Sequence, residues 1–311
     1  MRLRKVLTAT AAGLAGTAAA NRALTARAGP LRPGLDADHR STRWRGFDVA
    51  YAEAGDPDDQ DLVLLHGIHA AASNHEFRHV ASDLAEDYHV IAPDLPGFGH
   101  TDRPAVSYSA SLYVEFVRDF LEEQTDDPVV LASSLSGSYA ALAAEQTPVN
   151  RLVLVCPTAS TGMRRPWLRT LLRSPVVGAG LFNLLVSKPS LRYFDQREAY
   201  FDSSRIDDDL VEFQWRTSHQ PNARYAPASF VGGYLDPRVD LGKELAERDC
   251  SVTLVWGREA TITPLQEGRQ LADASDARLV VIDDTRLLPH DEQPESFLTA
   301  VEHELPRYEH Q

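Results

Sequence analysis

The chain has 311 residues, enough for one large α/β domain carrying an inserted subdomain. Its 45 acidic against 31 basic residues give a formal charge of −14, which excludes nucleic acid as the main partner, since phosphate binding needs clustered Lys and Arg. Two cysteines, Cys156 and Cys250, are too few for a disulfide scaffold and lack metal-ligand spacing.

Residues 1–28 differ from the rest. Arg2, Arg4 and Lys5 precede a small-residue apolar run from Val6 to Ala20, shorter than the roughly 20 residues that span a bilayer. Three readings stand: an anchor that holds the domain at a membrane surface, a cleavable signal ending near Ala18-Ala19-Ala20, or an Ala-rich helix lying against the domain. The anchor is the favoured expectation, with cytoplasmic or exported placement as alternatives. A Pro/Gly-rich linker, Gly29 to Gly34, follows, so segment and linker together span residues 1–40, residues 1–28 are expected to be dispensable for folding, and a chain starting near Asp36 is expected to fold cooperatively.

Beyond the linker, short apolar runs alternate with amphipathic ones. Trp44–Ala54, Leu62–His66, Tyr88–Pro93, Val129–Leu131, Leu152–Cys156, Val252–Trp256 and Leu279–Ile282 read as strands, and from the third onward their continuous Val/Ile/Leu content predicts burial on both faces of a parallel sheet. Glu76–Glu86, Ser109–Glu123, Leu135–Gln146, Pro264–Asp273 and Pro294–Glu304 carry apolar residues at helical spacing. Alternation of this kind predicts an α/β sheet with right-handed crossovers. Cys156 ends one strand and Cys250 precedes another, so the two are expected at opposite edges of the sheet and unbonded.

One interval breaks the rhythm. The stretch between Cys156 and Val252 is far longer than a crossover helix requires and is rich in aromatics. It predicts an inserted subdomain over 158–236, between core segments 41–157 and 237–311.

Four landmarks occur in order, the last made of two C-terminal segments. Leu64-Leu65-His66-Gly67-Ile68 ends a strand. Asp94-Leu95-Pro96-Gly97-Phe98-Gly99 forms a glycine-bearing loop. Ala132-Ser133-Ser134-Leu135-Ser136 lies where a strand gives way to a helix. Trp256-Gly257-Arg258-Glu259-Ala260-Thr261-Ile262-Thr263-Pro264 and the run from Val280 through Pro289-His290 to Phe297 complete the set. Together these resemble the α/β-hydrolase superfamily, in particular its lidded members, over Trp44 to about Leu305. The resemblance implies an α/β-hydrolase fold, a mostly parallel sheet flanked by helices with a helical cap inserted after the sixth strand. It also implies Ser134 as the nucleophile and the backbone N–H groups of Ile68 and Leu135 as the oxyanion hole.

The sequence departs from that family at the decisive positions. The usual glycines flanking the nucleophile are Ala132 and Ser136, the acid position holds Ala260, and the base position holds Leu287. Glu259 is the nearest substitute acid and His290 the nearest substitute base, although His290 matches the second, ordinarily non-catalytic histidine of the family. His69 and His75 follow the His-Gly pair, where they could line a pocket mouth. Two functional expectations follow. The first is a degraded Ser-His-Asp triad in a protein of little or no turnover that binds a small apolar ligand or a partner. The second is an active, esterase-like serine hydrolase in which Ser134 is served by a displaced base such as His290. No cofactor and no metal are expected.

Overall fold

The computed structural model describes residues 2–305; Met1 and positions 306–311 lie outside the described residues. Eight strands form one sheet: β1 (Asp38–Trp44), β2 (Phe47–Ala54), β3 (Asp61–Leu65), β4 (His89–Pro93), β5 (Val129–Ser133), β6 (Arg151–Val155), β7 (Ser251–Gly257) and β8 (Arg278–Ile282). Their spatial order is β1-β2-β4-β3-β5-β6-β7-β8. The β1–β2 and β2–β4 pairs are antiparallel and all others parallel. The expected single run Trp44–Ala54 is therefore a hairpin in part. Arg45 and Gly46 both have positive φ (43° and 90°), the requirement of a tight two-residue hairpin turn. β1 is polar and mostly exposed, so it shows no apolar pattern in sequence.

The helices are α1 (Arg2–Ala28), α2 (Ala81–Leu84), α3 (Ala110–Gln124), α4 (Leu135–Ala143), α5 (Pro166–Arg173), α6 (Val176–Leu185), α7 (Lys188–Phe194), α8 (Asp208–Ser218), α9 (Tyr225–Val231), α10 (Leu241–Ala246), α11 (Leu265–Ser275), α12 (Pro289–Glu292) and α13 (Pro294–Val301). α3 shows why such segments are helical. Tyr113, Phe116, Val117, Phe120 and Leu121 repeat at three- and four-residue spacing and are all buried, and the Ser109 side chain caps its start by accepting from the Leu112 N–H. The expected helix Glu76–Glu86 is instead a short 3-10 turn, Asn74–Phe77, followed by α2.

Alternation along the central strands builds two cores. Leu65, Ala132 and Leu154 face α3 and α4 with Tyr113 and Tyr139. Leu64, Leu131 and Val153 face the other way, against Phe77, Phe297 and Val301. In this pleat Ser133 follows Leu131 on the Phe77 side, and Ser134 lies past the strand's end.

Between β6 and β7 the chain leaves the sheet to form α5 to α9 before α10 returns it. This insertion has a core of its own, with Leu172, Phe182, Val186, Leu191 and Trp215 buried together. The N-terminal helix belongs to that core. Ala28 is fully buried in it and Leu24 packs against it, Asn21 donates to the Val176 carbonyl (3.2 Å) and accepts from Asn183 (2.9 Å), and Arg216 and Gln220 of the insertion donate to the carbonyls of Ala28 and Gly29. Of the three readings of this segment, the helix lying against the domain describes its packing.

Both cysteines are free. β6 and β7 are parallel neighbours that pair Arg151 with Ser251 and Val155 with Val255, so Cys250 and Cys156 sit at opposite ends of adjacent strands.

Candidate active site

β5 runs into α4 through Ser134, whose φ of 56° and ψ of −127° lie in a region that L-residues rarely adopt. The turn is fixed by backbone bonds: the Ser134 N–H donates to the Val155 carbonyl (2.9 Å), and its carbonyl accepts from Gly137 (3.1 Å) and Thr158 (3.3 Å). Ser134 is half-buried. Ala132 and Ser136 are both fully buried, small enough for the close strand–helix packing that glycines serve elsewhere. Ser136 adds a bond that glycine cannot make, its hydroxyl donating to the His66 carbonyl at 2.6 Å.

That bond joins the elbow to the strand end His66-Gly67-Ile68. A Cβ placed on Gly67 would lie 3.5 Å from the Ser134 Cβ and 3.2 Å from the Ser133 hydroxyl, so the two loops are in contact. The N–H groups of Ile68 and Leu135 donate to no other group among the described residues, and Leu135 opens α4, where the helix dipole favours negative charge. His66 faces inward; its Nε2 accepts from the Leu95 N–H at 3.0 Å and its Nδ1 lies 2.8 Å from the Gly67 carbonyl. The neighbouring 94–99 loop is structural. Buried Asp94 accepts the N–H groups of Asn74 and His100 (2.8 and 2.7 Å), and a Cβ on Gly99 (φ 48°) would collide with the Asp94 carboxylate.

The two substituted positions meet. Ala260, after β7, is buried with Cys156 and Trp256, and Leu287, after β8, packs against the same group. The Leu287 N–H donates to the Ala199 carbonyl of the insertion (3.2 Å). The cluster is apolar apart from the Cys156 thiol, which burial pushes up to about 12. Glu259 is half-buried, and its carboxylate accepts no hydrogen bond from a described residue. The Ser134 hydroxyl likewise has no side-chain partner among the described residues.

His290 is fully buried on the other side of β5. Its Nε2 lies 3.2 Å from Glu76 Oε1, and its ring stacks on Phe77 with centroids 5.2 Å apart. Glu76 also accepts the Gly67 N–H at 2.8 Å. Burial pushes the Glu76 carboxyl up, but its contacts with the His290 ring and the Ser133 hydroxyl, with His66 nearby, outweigh it and hold it at about 2. The structure thus brings His290 together with Glu76, Ser133 and Gly67, while Ser134 projects past the strand end. His75 is buried, stacked on Phe213 of α8 at 3.8 Å, and its desolvation, with Arg78 and Arg32 nearby, lowers it to about 3. His69 is exposed. No group of three His, Cys, Asp or Glu suited to a metal is found among the described residues.

A family model described as alpha/beta hydrolase family matches residues 62–300. The chain belongs to the alpha/beta hydrolase family. Among its relatives, an uncharacterized hydrolase, YugF, of Bacillus subtilis (strain 168) is 26% identical over 267 residues, covering 80% of this chain and 91% of the relative. A 2-hydroxymuconate semialdehyde hydrolase of Pseudomonas sp. (strain CF600) is 29% identical over 231 residues, covering 68% and 74%. Among solved structures, a meta-cleavage product hydrolase (CumD, A129V mutant) superposes with a TM-score of 0.69 at 22% identity over 84% of this chain and 96% of that one. A membrane phospholipase A gives 0.67 at 22% identity over 96% and 94%.

Within this alpha/beta hydrolase, Glu76 is the residue beside the candidate site that sequence reasoning missed. It joins Gly67 after β3, Ser133 at the end of β5 and His290 through one carboxylate. In sequence it is one Glu in a polar stretch, Ser73-Asn74-His75-Glu76, with no spacing that marks it.

Proposed function

We propose that this alpha/beta hydrolase carries a degraded triad: the nucleophile elbow and both oxyanion donors are in place, the acid and base are gone, and the protein binds a small apolar or ester-like ligand with little or no turnover. The observation that carries the reading is the shared apolar cluster of Ala260 and Leu287, where motif register expects the acid and base. A serine hydroxyl without a base in reach is a poor nucleophile, whereas a formed oxyanion hole still polarises a carbonyl. Triad-deleted hydrolases keep residual rates of roughly 10³–10⁴ over water, which bounds what Ser134 can do alone. One relative is named as a 2-hydroxymuconate semialdehyde hydrolase, which is consistent with a small carbonyl compound as the ligand.

The displaced-base reading requires His290 to leave Glu76 and its stacked position on Phe77, and Glu259 to find a histidine. The test is labelling with a fluorophosphonate. The natural protein should label slowly or not at all, and Leu287→His with Ala260→Asp should raise the rate by about 10²-fold or more, the usual contribution of a positioned general base. Ser134→Ala should abolish the gain. Rapid labelling of the natural protein at Ser134, lost on His290→Ala while the fold persists, would establish the displaced triad instead.

A further inference from the structure

Charge is unevenly placed along this acidic chain. Residues 1–35 contain six Lys/Arg and no carboxylate, and residues 146–194 contain seven and none; the remaining 227 residues hold 18 basic and all 45 acidic groups. The basic segments therefore sum to +13 and the rest to −27, giving the total of −14. The fold brings the two segments together. α1 lies along α6, with Thr17 so close to Gly180 that a Cβ there would sit 3.0 Å from its methyl and with Asn21 bonded to Val176 and Asn183.

α6 then has three faces. Gly178 and Phe182 point into the insertion's core, Val176, Gly180 and Asn183 meet α1, and Val177, Leu181, Leu184 and Leu185 form a stripe at helical spacing that is exposed, Leu184 by 70%. On neighbouring α5, Trp167 is 66% exposed, and Met163 just before it is 80% exposed. Around this apolar surface the guanidinium groups of Arg22, Arg27, Arg164, Arg165, Arg169 and Arg173 have no carboxylate partner among the described residues, in contrast to Lys188, Arg192 and Arg32, which pair with Glu212, Asp208 and Asp209 of α8. Arg164 and half-buried Arg169 lie over the Tyr234 ring, and Arg173, over that of Tyr225, donates to the carbonyls of Val106 and Ala105, so the exposed arginines open to a ligand are Arg22, Arg27, Arg164 and Arg165.

We propose that α1, α5 and α6 form one face that lies on the surface of an anionic lipid bilayer, with Trp167 and the α6 stripe entering the headgroup region and the unpaired arginines meeting lipid phosphates. Exposed Leu and Trp beside uncompensated Arg is the composition of an interfacial surface. The sign of the charge selects the occupant, since a neutral apolar partner would leave these arginines desolvated and an acidic bilayer pairs them. None of the helices described is long and apolar enough to cross a membrane, and on this reading none needs to. The contact rests on the insertion as much as on the N-terminal segment, and it does not depend on the chemistry of Ser134.

The test is co-sedimentation of the full-length protein with vesicles of phosphatidylcholine alone and of phosphatidylcholine mixed with phosphatidylglycerol, with the tryptophan emission recorded alongside. Binding is expected to the mixed vesicles only, with a blue shift that is reduced in Trp167→Ser. Arg164→Glu with Arg165→Glu should weaken it by more than about tenfold, Leu184→Ser should weaken it further, and Arg269→Glu on α11 should leave it unchanged. Equal binding to both vesicles, binding to neither, or wild-type binding by the Arg164/Arg165 and Leu184 variants overturns the proposal. So does an ultracentrifugation result in which those variants turn a dimer into a monomer without vesicle binding, which would make the face a contact between copies.

Discussion

His290 Nε2 and Glu76 Oε1 face each other at 3.2 Å in a space that neither shares with solvent. Through the Gly67 N–H, which the same carboxylate accepts, the pair is tied to the segment that follows β3. Removing one member leaves the other buried and unpaired, which costs roughly 3–5 kcal/mol. Glu76→Ala and His290→Ala should each lower stability by that order in urea denaturation, and the double variant should lose much less than the sum. Additive losses would mean that the two groups do not interact.

The same carboxyl has a pH signature. Its folded value, about 2, lies below the ordinary 4.5, so it contributes stability that is fully present above the carboxylate range and is lost as pH falls from there toward 2. Glu76→Gln should therefore flatten the acid limb of the stability profile while leaving the slope above pH 6 alone.

Asp195 runs the other way. Burial raises its carboxyl to about 7, with Asp291 adding to the rise and the Gln214 hydrogen bond opposing it. A raised acid stabilises the fold relative to its ionised form only at low pH, and that contribution disappears as pH climbs through the folded value. Asp195→Asn should match the natural protein near pH 4 and exceed it at pH 8 by more than about 1.4 kcal/mol, the worth of one pKa unit. Thermal melts at the two pH values measure this directly.

Ser136 offers a local test of the elbow. Ser136→Ala keeps the helix and removes only the 2.6 Å bond to the His66 carbonyl, and should cost about 1 kcal/mol. Ser136→Gly, which restores the family's usual residue, should cost about 1 kcal/mol more through helix propensity.

From sequence alone, truncation to a chain starting near Asp36 is harmless. With Ala28 buried and Leu24 packed in the insertion's core, the expected outcome is now divided. Amides of β3 to β7 should keep their hydrogen-exchange protection, while those of α6 and α8 should lose theirs as Leu172, Phe182 and Trp215 become exposed.

β3 to β7 were legible because buried parallel strands are continuous apolar runs, and the elbow because a strand, a serine and a helix follow one another without a gap. β1 was not, since an edge strand spelled Asp-His-Arg-Ser-Thr-Arg-Trp faces solvent and carries no periodic signal. The docking of α1 was hidden by a linker whose Pro and Gly residues suggest separation, whereas its carbonyls are held by Arg216 and Gln220. The position of His290 could be read from register, but its partner could not, because a buried carboxylate and a solvated one are the same letter.

A further consequence follows from the backbone at Ser134. A residue held at φ 56° and ψ −127° costs the native state about 1–3 kcal/mol, and that cost is met during folding, before any ligand arrives. On the proposed reading the Leu135 N–H is thereby held in place before a ligand arrives, so a carbonyl or anion that meets it beside the Ile68 N–H owes little for reorganisation. Selection for tight, slow-release binding and selection for turnover would thus preserve the same strained serine, and the two histories part only at the residues that would move its proton.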